Sequence, residues 1–246
     1  MLELLSIDLS NYCSKQCPFC YNHSTREGNV VWQPAEIIAF ATDCVEHGIK
    51  AVSLGGGEPF EYDGVFDVID ALQPIAYLSV TTNGLPLEKP EVWNMLPAHK
   101  PDKIHITIHQ PQNSSEVERV IRQVKELDAI VIKPGVNLLV GKDKLKFCKE
   151  VYALLLRTLK RDQIIMVPQR YGNTPTPKEL AMVAGNKPFQ SPSCLLGCKR
   201  PETFCSVSWD KKVNSCSYAK GKRPLETLNY NGLTEALSKV IFESCT

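Results

Sequence analysis

The chain has 246 residues, of which 28 are Lys or Arg, 27 are Asp or Glu and ten are Cys. Because the charges nearly balance, no global basic field exists to hold a polyanion, and nucleic acid is not an expected partner. Residues 1–9 lack the basic stretch of a secretory signal and no apolar run is long enough to span a bilayer, so we expect a cytoplasmic protein with reduced thiols and no membrane partner.

Short apolar runs alternate with longer segments of helical spacing. The sequence predicts strands over residues 3–9, 50–54, 76–80, 103–109, 133–140 and 163–167. It predicts helices over residues 35–47, 65–72, 90–96, 114–127 and 144–159. This βα alternation implies right-handed crossovers and an α/β fold with a parallel sheet that curls into a barrel or part of one. Functional residues are expected in the loops that follow the strands, where such folds place their sites.

Three cysteines follow the first strand with the spacing Cys-x3-Cys-x2-Cys, at Cys13, Cys17 and Cys20. A [4Fe-4S] cluster has four irons, so three thiolates leave one iron open for a small molecule. A structural zinc site prefers four ligands, for which His23 is the nearest candidate. The spacing therefore favours an iron–sulfur site, with zinc as the alternative.

The loops after the second and third strands carry polar and flexible residues. The run Gly-Gly-Gly-Glu-Pro at residues 55–59 lets the backbone approach a ligand closely, and Glu58 could bind an ammonium group. Its alternative is a tight turn with a surface Glu. Thr82 and Asn83 suit ribose oxygens, although Asn83-Gly84 is also an ordinary turn signal. Together these loops predict a ligand that joins a nucleoside to an amino acid.

In the order of these three loops the chain resembles radical S-adenosylmethionine (SAM) enzymes over roughly residues 1–170. The resemblance implies a partial (β/α)6 TIM-like barrel, in which the three cysteines hold a [4Fe-4S] cluster that binds SAM. It implies reductive cleavage of SAM to a 5′-deoxyadenosyl radical, which abstracts hydrogen from substrate. By position, it assigns SAM contacts to Phe19, Gly56, Gly57, Glu58, Thr82 and Asn83.

The fourth strand alternates isoleucines with polar residues, which places His105 and His109 on one face. We expect this face to line the barrel, with both histidines as candidate catalytic groups; side chains merely hydrated in the lumen are the alternative. Asn137 on the fifth strand is a further candidate for cofactor binding. Arg170, after the sixth, could pair with a carboxylate of SAM or substrate, or be solvated.

Four late cysteines fall close together, at Cys194, Cys198, Cys205 and Cys216. Residues 204–209 and 213–218 predict a hairpin turning at residues 210–212, and pairing of Ser208 with Val213 would place Cys205 opposite Cys216. Four thiolates could hold a second, auxiliary [4Fe-4S] cluster, with Cys245 as a further ligand candidate. A four-cysteine zinc site and loose thiols are the alternatives.

This second cysteine group resembles the SPASM and twitch extensions of radical SAM enzymes, although it has too few cysteines for two fully ligated clusters. The two resemblances together predict a barrel domain over residues 1–172 and a cysteine-bearing extension over residues 173–246. Such extensions suggest an enzyme that modifies a ribosomally made precursor peptide. The overall pattern resembles the cyanobacterial spliceases, which excise a tyramine unit and leave an α-keto-β-amino acid.

The implied partners are a precursor peptide, a small leader-binding protein and a reductant such as flavodoxin or ferredoxin. The fold class alone does not fix the substrate. One alternative is therefore a small-molecule radical SAM dehydrogenase with an auxiliary cluster. An alternative of another class is a non-catalytic protein with structural zinc or iron–sulfur sites.

Overall fold

The structure is a computed structural model that describes residues 1–192 and 201–243. Its strands in chain order are β1 (Leu4–Asp8), β2 (Ala51–Gly55), β3 (Tyr77–Thr82), β4 (Lys103–Ile108), β5 (Lys133–Val140), β6 (Ile164–Pro168), β7 (Phe204–Val207), β8 (Lys212–Asn214) and β9 (Arg223–Pro224). Its helices are α1 (Pro34–Glu46), α2 (Val65–Leu72), α3 (Pro90–Trp93), α4 (Ser114–Ala129), α5 (Leu145–Leu155), α6 (Pro177–Val183) and α7 (Tyr230–Ser238).

The described residues form two compact units, the first with residues 1–102 and 201–243 and the second with residues 103–192. In the first unit the strand order is β3-β2-β1-β7-β8-β9. Strands β1, β2, β3 and β7 are parallel, whereas β8 and β9 pair antiparallel. The second unit has the parallel order β6-β5-β4. Neither set of strands closes on itself, as expected for an open, mostly parallel α/β sheet.

Alternation along β1 separates its two faces. Leu5 and Ile7 are fully buried, whereas Ser6 and Asp8 point to the opposite side of the strand. Helix α1 starts at Pro34 and buries Phe40 among its apolar residues. Pro at the first helical position suits the fixed φ of its ring and needs no N–H partner. The apolar faces of β1 and α1 contribute to the core of the first unit.

The C-terminal strands join the N-terminal ones in the first unit. In the register of β1 and β7, Leu5 lies beside Cys205, and the Glu3 N–H donates to the Thr203 carbonyl at 2.8 Å. Helix α7 follows β9, and its Tyr230 N–H donates to the Asp43 carboxylate at 2.6 Å. The boundary between residues 172 and 173 stays a prediction, but the segment beyond it contributes strands to the same sheet as β1.

Several elements differ from the sequence expectation. Helix α3 ends at Trp93 rather than at residue 96, and α5 ends at Leu155 rather than at residue 159. After α5 the N–H groups of Arg157 and Thr158 bond to carbonyls three residues earlier, which marks a turn rather than a continued α-helix. Helices α6 and α7 and strand β9 were not expected. No helix of the described residues is long and apolar enough to cross a bilayer.

Candidate functional site

The cysteine loop, residues 9–28, connects β1 to α1 and is held by backbone hydrogen bonds. The Gly57 N–H donates to the Ser10 carbonyl at 2.7 Å, and the Glu58 N–H donates to the Tyr12 carbonyl at 2.9 Å. Within the loop, the Cys13 N–H donates to the Thr25 carbonyl at 2.8 Å. The loop after β1 is thus fixed against the glycine turn, residues 55–59, which follows β2.

Two glycines permit this close packing. A Cβ on Gly57 would lie 1.8 Å from the Tyr12 carbonyl oxygen, far inside van der Waals contact. Gly56 has φ of +108°, in the region that favours glycine, and its Cβ would lie 2.7 Å from the Ser10 carbonyl oxygen. The absence of a side chain at these two positions therefore lets the cysteine loop pack directly against the turn.

Glu58 is a buried carboxylate, only 1% exposed, so the alternative of a surface Glu in a turn is wrong. Its Oε1 accepts hydrogen bonds from the Thr82 hydroxyl at 2.7 Å and the Phe60 N–H at 3.2 Å. Its Oε2 accepts from the Asn83 N–H at 2.7 Å. Burial raises the pKa of Glu58 to about 7, although the bonds from Asn83, Thr82 and Phe60 oppose that rise. A cation nearby would offset the cost of burying this charge.

Asn83 links the glycine turn to the cysteines. Its Nδ2 lies 3.6 Å from Cys13 Sγ and donates to the sulfur, while its Oδ1 accepts from the Leu85 N–H at 2.8 Å. Burial raises the pKa of the Cys13 thiol, and hydrogen bonds from the N–H groups of Lys15 and Gln16 lower it. Several N–H donors around one sulfur stabilise a thiolate, the form that binds iron.

The other two thiols of the cysteine loop are partly accessible to solvent. Cys17, Phe19 and Cys20 are partly exposed, and the Cys20 N–H donates to the Cys17 carbonyl at 3.0 Å. Among residues 1–192 and 201–243, no three His, Cys, Asp or Glu side chains are grouped as ligands of a single ion, and His23 is exposed. A [4Fe-4S] cluster has no need of such a group, because each cysteine binds a different iron. The donor set and its amide partners fit that cluster.

Glu61 fixes the cysteine loop from the other side of the glycine turn. Its carboxylate accepts hydrogen bonds from both the N–H and the hydroxyl of Ser14. The sequence analysis missed this residue, and no local pattern marks it, since its partner lies 47 positions earlier in the chain.

In the second unit, His105 and Asn137 meet across β4 and β5. His105 is 8% exposed and its Nδ1 lies 3.1 Å from Asn137 Oδ1. The residue paired with it on β5 is Gly135, where a Cβ would lie 3.0 Å from the imidazole ring. Burial, with a smaller contribution from Lys103, lowers the pKa of His105 to about 4. The ring is therefore neutral near pH 7 and is not freely hydrated.

His109 and Arg170 also lie in the second unit. The His109 N–H donates to Glu116 Oε1 at 2.7 Å, and its ring Nδ1 lies 3.7 Å from the same oxygen. Arg170 follows β6 and is only 6% exposed, so the alternative of a fully solvated arginine is wrong. The predicted site residues thus fall into two groups, with the cysteines, Glu58, Thr82 and Asn83 in the first unit and His105, His109, Asn137 and Arg170 in the second.

The hairpin of β7 and β8 corrects the expected register of the late cysteines. Val207 pairs with Val213, and the Ser208 N–H donates to the Lys212 carbonyl at 2.8 Å. The turn therefore holds three residues, 209–211, with Lys211 at φ of +57°. Such a turn shifts the pairing by one residue from the expected contact of Ser208 with Val213. Cys205 consequently does not lie opposite Cys216.

The shift places the two cysteines in different surroundings. Cys205 is fully buried beside Leu5 in the register, and burial raises the pKa of its thiol to about 12. It lies near Cys44 of α1, whose pKa it helps to raise. Cys216 is partly exposed and lies near Tyr21, the residue after Cys20. Cys194, Cys198 and Cys245 lie outside the described residues.

Comparison with known proteins identifies a matching family and related sequences. The family model of the radical SAM superfamily matches residues 7–133 of this chain. A probable GTP 3′,8-cyclase of Methanocaldococcus jannaschii is 25% identical over 173 residues, which cover 63% of this chain and 57% of that protein. The corresponding protein of Sulfurisphaera tokodaii is 22% identical over 265 residues and covers 90% of this chain and 83% of its own length.

Solved structures show the fold. Streptococcus suis SuiB, crystallised with the precursor peptide SuiA, superposes with a TM-score of 0.73 at 16% identity and covers 88% of this chain and 60% of its own. The enzyme anSMEcpe, with bound AdoMet and the Cp18Cys peptide, has a TM-score of 0.65 at 14% identity and covers 96% of this chain and 82% of its own. These likenesses confirm the expected α/β fold, a partial TIM-like barrel. This chain spans only 57% of the first curated relative and 60% of SuiB.

The family match covers more than half of the chain and begins just before the cysteine loop. The cofactors of this family are a [4Fe-4S] cluster and SAM, and SuiB has been crystallised with SAM. The alternative of a non-catalytic metal protein is therefore wrong. The cysteine loop provides amide donors to Cys13 and packs on the glycine turn, which buries a carboxylate. These features of the chain fit the two cofactors. This chain belongs to the radical SAM superfamily of enzymes.

Proposed function

We propose that the chain modifies a ribosomally made precursor peptide by hydrogen abstraction. The observation that supports this substrate most directly is the fold shared with SuiB and anSMEcpe, both crystallised with peptides. Precursor peptide, leader-binding protein and a flavodoxin or ferredoxin reductant are the partners of this proposal.

In the first unit we assign the cluster to Cys13, Cys17 and Cys20. When bound, SAM and the cluster supply a 5′-deoxyadenosyl radical for hydrogen abstraction. Asn83 donates to the Cys13 sulfur and so stabilises its thiolate form. Glu58, buried and held by Thr82 and Asn83, is positioned to place negative charge beside the methionyl ammonium. Gly56 and Gly57 let the backbone of the turn lie against the cysteine loop, because neither has a side chain to hold the two apart.

The remaining SAM assignments rest on position. Phe19 lies in the cysteine loop, between two cluster ligands, where its backbone is assigned to the adenine. The Thr82 hydroxyl and the Asn83 N–H already donate to Glu58. We therefore assign the contacts with the ribose to the other polar groups of these two residues. Asn137, the other candidate for cofactor binding, is engaged with His105.

In the second unit we assign His105 a direct role toward substrate. If Asn137 Oδ1 accepts the Nδ1 proton, Nε2 carries the lone pair and can accept a hydrogen bond or a proton. The low pKa keeps the ring in this neutral form near pH 7. His109 and Arg170 are the other proposed catalytic residues, with Arg170 assigned to a carboxylate.

We assign an auxiliary cluster to Cys194, Cys198 and Cys216, with Cys245 as the candidate fourth ligand. Cys205, the fourth ligand expected from the sequence, is removed from this set because it is fully buried on the side of Leu5 and Cys44. Cys216 stays because it lies near the cysteine loop.

The test is an anaerobic incubation of cluster-loaded protein with a Tyr-containing precursor peptide, SAM and reduced ferredoxin, followed by mass spectrometry. The narrower form of the proposal, a splicease, expects loss of one tyramine unit. A peptide that changes mass in another way would retain peptide modification and reject splicing. The second candidate is a small molecule, favoured by the curated relatives that act on GTP by name. Conversion of GTP or another small molecule to a product of changed mass, with no change in any peptide, would reject the peptide proposal.

A further inference from the structure

Asp8 is a buried carboxylate without a partner, at the carboxyl end of β1. It is 5% exposed and lies on the face of β1 opposite to Leu5 and Ile7. Among the residues that the structure describes, its carboxylate has no hydrogen bond and no ion pair within 4 Å. An ionised carboxylate is costly to bury unless it is paired. The position therefore calls for a partner that binds there.

The neighbouring strand leaves room beside this carboxylate. Asp8 pairs in register with Gly55, the first residue of the glycine turn. A Cβ at Gly55 would lie 3.6 Å from Asp8 Oδ1, an ordinary contact distance, and within 4 Å of no other described heavy atom beyond Gly55 and its chain neighbours. A small group bound to Asp8 could occupy the space that this glycine leaves.

A pair of packed tyrosine rings includes one whose phenol group lies within electrostatic range of the carboxylate. The rings of Tyr21 and Tyr218 have their centroids 4.7 Å apart and are tilted by 58°. The charge of Asp8 is the largest cause that raises the pKa of Tyr21, an effect that requires the Tyr21 phenol group to lie within electrostatic range of the carboxylate. Aromatic faces attract cations, and tilted rings beside a carboxylate are well suited to an organic ammonium.

The charged neighbours of Asp8 leave it available. Asp210 is paired with Lys212, whose Nζ lies 2.6 Å from its Oδ2, and also accepts from the Ser208 hydroxyl. Lys222 acts on Asp8 from a longer distance and opposes the effect of burial, which raises the pKa of Asp8 to about 6. Asp8 is thus mostly ionised at pH 7.5, while Asp210 already has Lys212 as an ion-pair partner.

We propose that Asp8, Tyr21 and Tyr218 form a subsite that binds a cationic nitrogen group of the substrate, an amino or guanidinium group. In its assignment to substrate this inference rests on the proposed function. It narrows the peptide to one that presents a Lys, an Arg or an amino terminus next to the cysteine loop.

The test is anaerobic titration calorimetry of the cluster-loaded protein at pH 7.5 with saturating SAM, which occupies the ammonium site assigned to Glu58. The probe is n-propylammonium, with n-propanol as its neutral match. We expect saturable binding of n-propylammonium and none of n-propanol. Asp8→Asn should weaken the ammonium about tenfold, the typical loss of a charge-assisted pair. Asp128→Asn, an exposed carboxylate of α4, is the matched control and should bind as the wild type does.

Tyr218→Leu provides a second variant that leaves the carboxylate in place, and it should weaken n-propylammonium without creating affinity for n-propanol. Equal binding of both probes, no binding of n-propylammonium, or unchanged affinity in either site variant would overturn the subsite. The assay contains no peptide, so its failure leaves peptide modification standing. Conversely, a protein that binds the ammonium but modifies no peptide would fail the proposed function alone.

Discussion

At the scale of single residues, Glu58 couples the protonation state of the glycine turn to stability. Its pKa is raised to about 7 in the folded chain from an ordinary value near 4.5. Because the folded pKa is the higher one, the folded state gains stability from protonation at low pH and loses it as the pH rises through 7. A bound ammonium would reverse this loss, since it favours the ionised form.

Substitution of Glu58 by Gln tests this linkage in SAM-free protein. Relative to Glu58→Gln, the wild type should lose about 2 kcal/mol of unfolding free energy between pH 5.5 and pH 8. Urea unfolding at several pH values measures the difference, and Asp8 contributes equally to both proteins. The exposed Glu118→Gln is the matched control, whose curve should run parallel to that of the wild type. Parallel curves for Glu58→Gln as well would show that Glu58 is not buried as described.

Asn83 gives a second residue-scale prediction, through the hydrogen bond from its amide to Cys13. Donors to cluster sulfurs stabilise the reduced, more negative state and raise the potential. Asn83→Asp keeps the Oδ1 acceptor for the Leu85 N–H but removes the donor and adds charge. We expect the reduction potential of the cluster to become more negative by on the order of tens of millivolts. EPR spectra recorded during a redox titration measure this shift. The exposed Asn94→Asp should shift little, and an equal shift in both variants would refute the contact.

Single residues could be predicted from the sequence where they belong to a regular alternation of apolar and polar side chains along a strand. Alternation in the fourth strand pointed to His105, which the structure places against Asn137. The same alternation in the first strand separates Asp8 from Leu5 and Ile7 and could have marked it. Tyr218 has no such signal, because its contact with Tyr21 depends on how a distant segment folds back.

At the scale of elements, the glycine turn and the cysteine loop form one packed piece. Gly57→Ala would place a methyl group on the Tyr12 carbonyl. We expect it to lower the unfolding free energy by about 3 kcal/mol and to remove most of the iron bound by the cysteine loop. Iron and sulfide analysis with thermal unfolding measures both.

Gly55→Ala is the matched control in the same turn, because its Cβ would meet only an ordinary contact of 3.6 Å. Its iron content should match that of the wild type. Full iron content in Gly57→Ala would mean that the loop does not need the close approach seen here.

The register of β7 and β8 gives a second element-scale prediction. Cys205→Ala should leave the iron content unchanged and cost about 1 kcal/mol of stability, since it removes only a small buried thiol. Cys216→Ala should lower the iron content if the proposed auxiliary cluster is present. Loss of iron in Cys205→Ala, measured after anaerobic reconstitution, would contradict the register found here.

Elements with strong periodicity were well predicted, since β5 and α2 have the expected bounds. The hairpin register was not, because its turn uses a left-handed Lys211 where such turns favour Gly or Asn. Three-residue and four-residue turns cannot be told apart by an apolar pattern, yet they differ by one residue in pairing. That single step decided which cysteines could share a site.

At the scale of the whole molecule, the chain brings its C-terminal strands back to its first strand. The pairing of β7 with β1 joins residues about two hundred positions apart, and the sequence gives no local sign of it. The family was predictable because its signature lies in three loops, each at the end of a strand. The substrate was not, because it depends on groups brought together by the whole fold.

The most direct test of the account is cleavage of SAM by the cluster-loaded protein. With SAM and dithionite, the wild type should form 5′-deoxyadenosine, measured by liquid chromatography and mass spectrometry. A variant with Cys13, Cys17 and Cys20 all changed to Ala should form none above background while retaining the circular dichroism of the folded chain. Equal product from the variant, or none from a wild type that carries its iron, would contradict the assignment of the cysteine loop to a SAM-cleaving cluster.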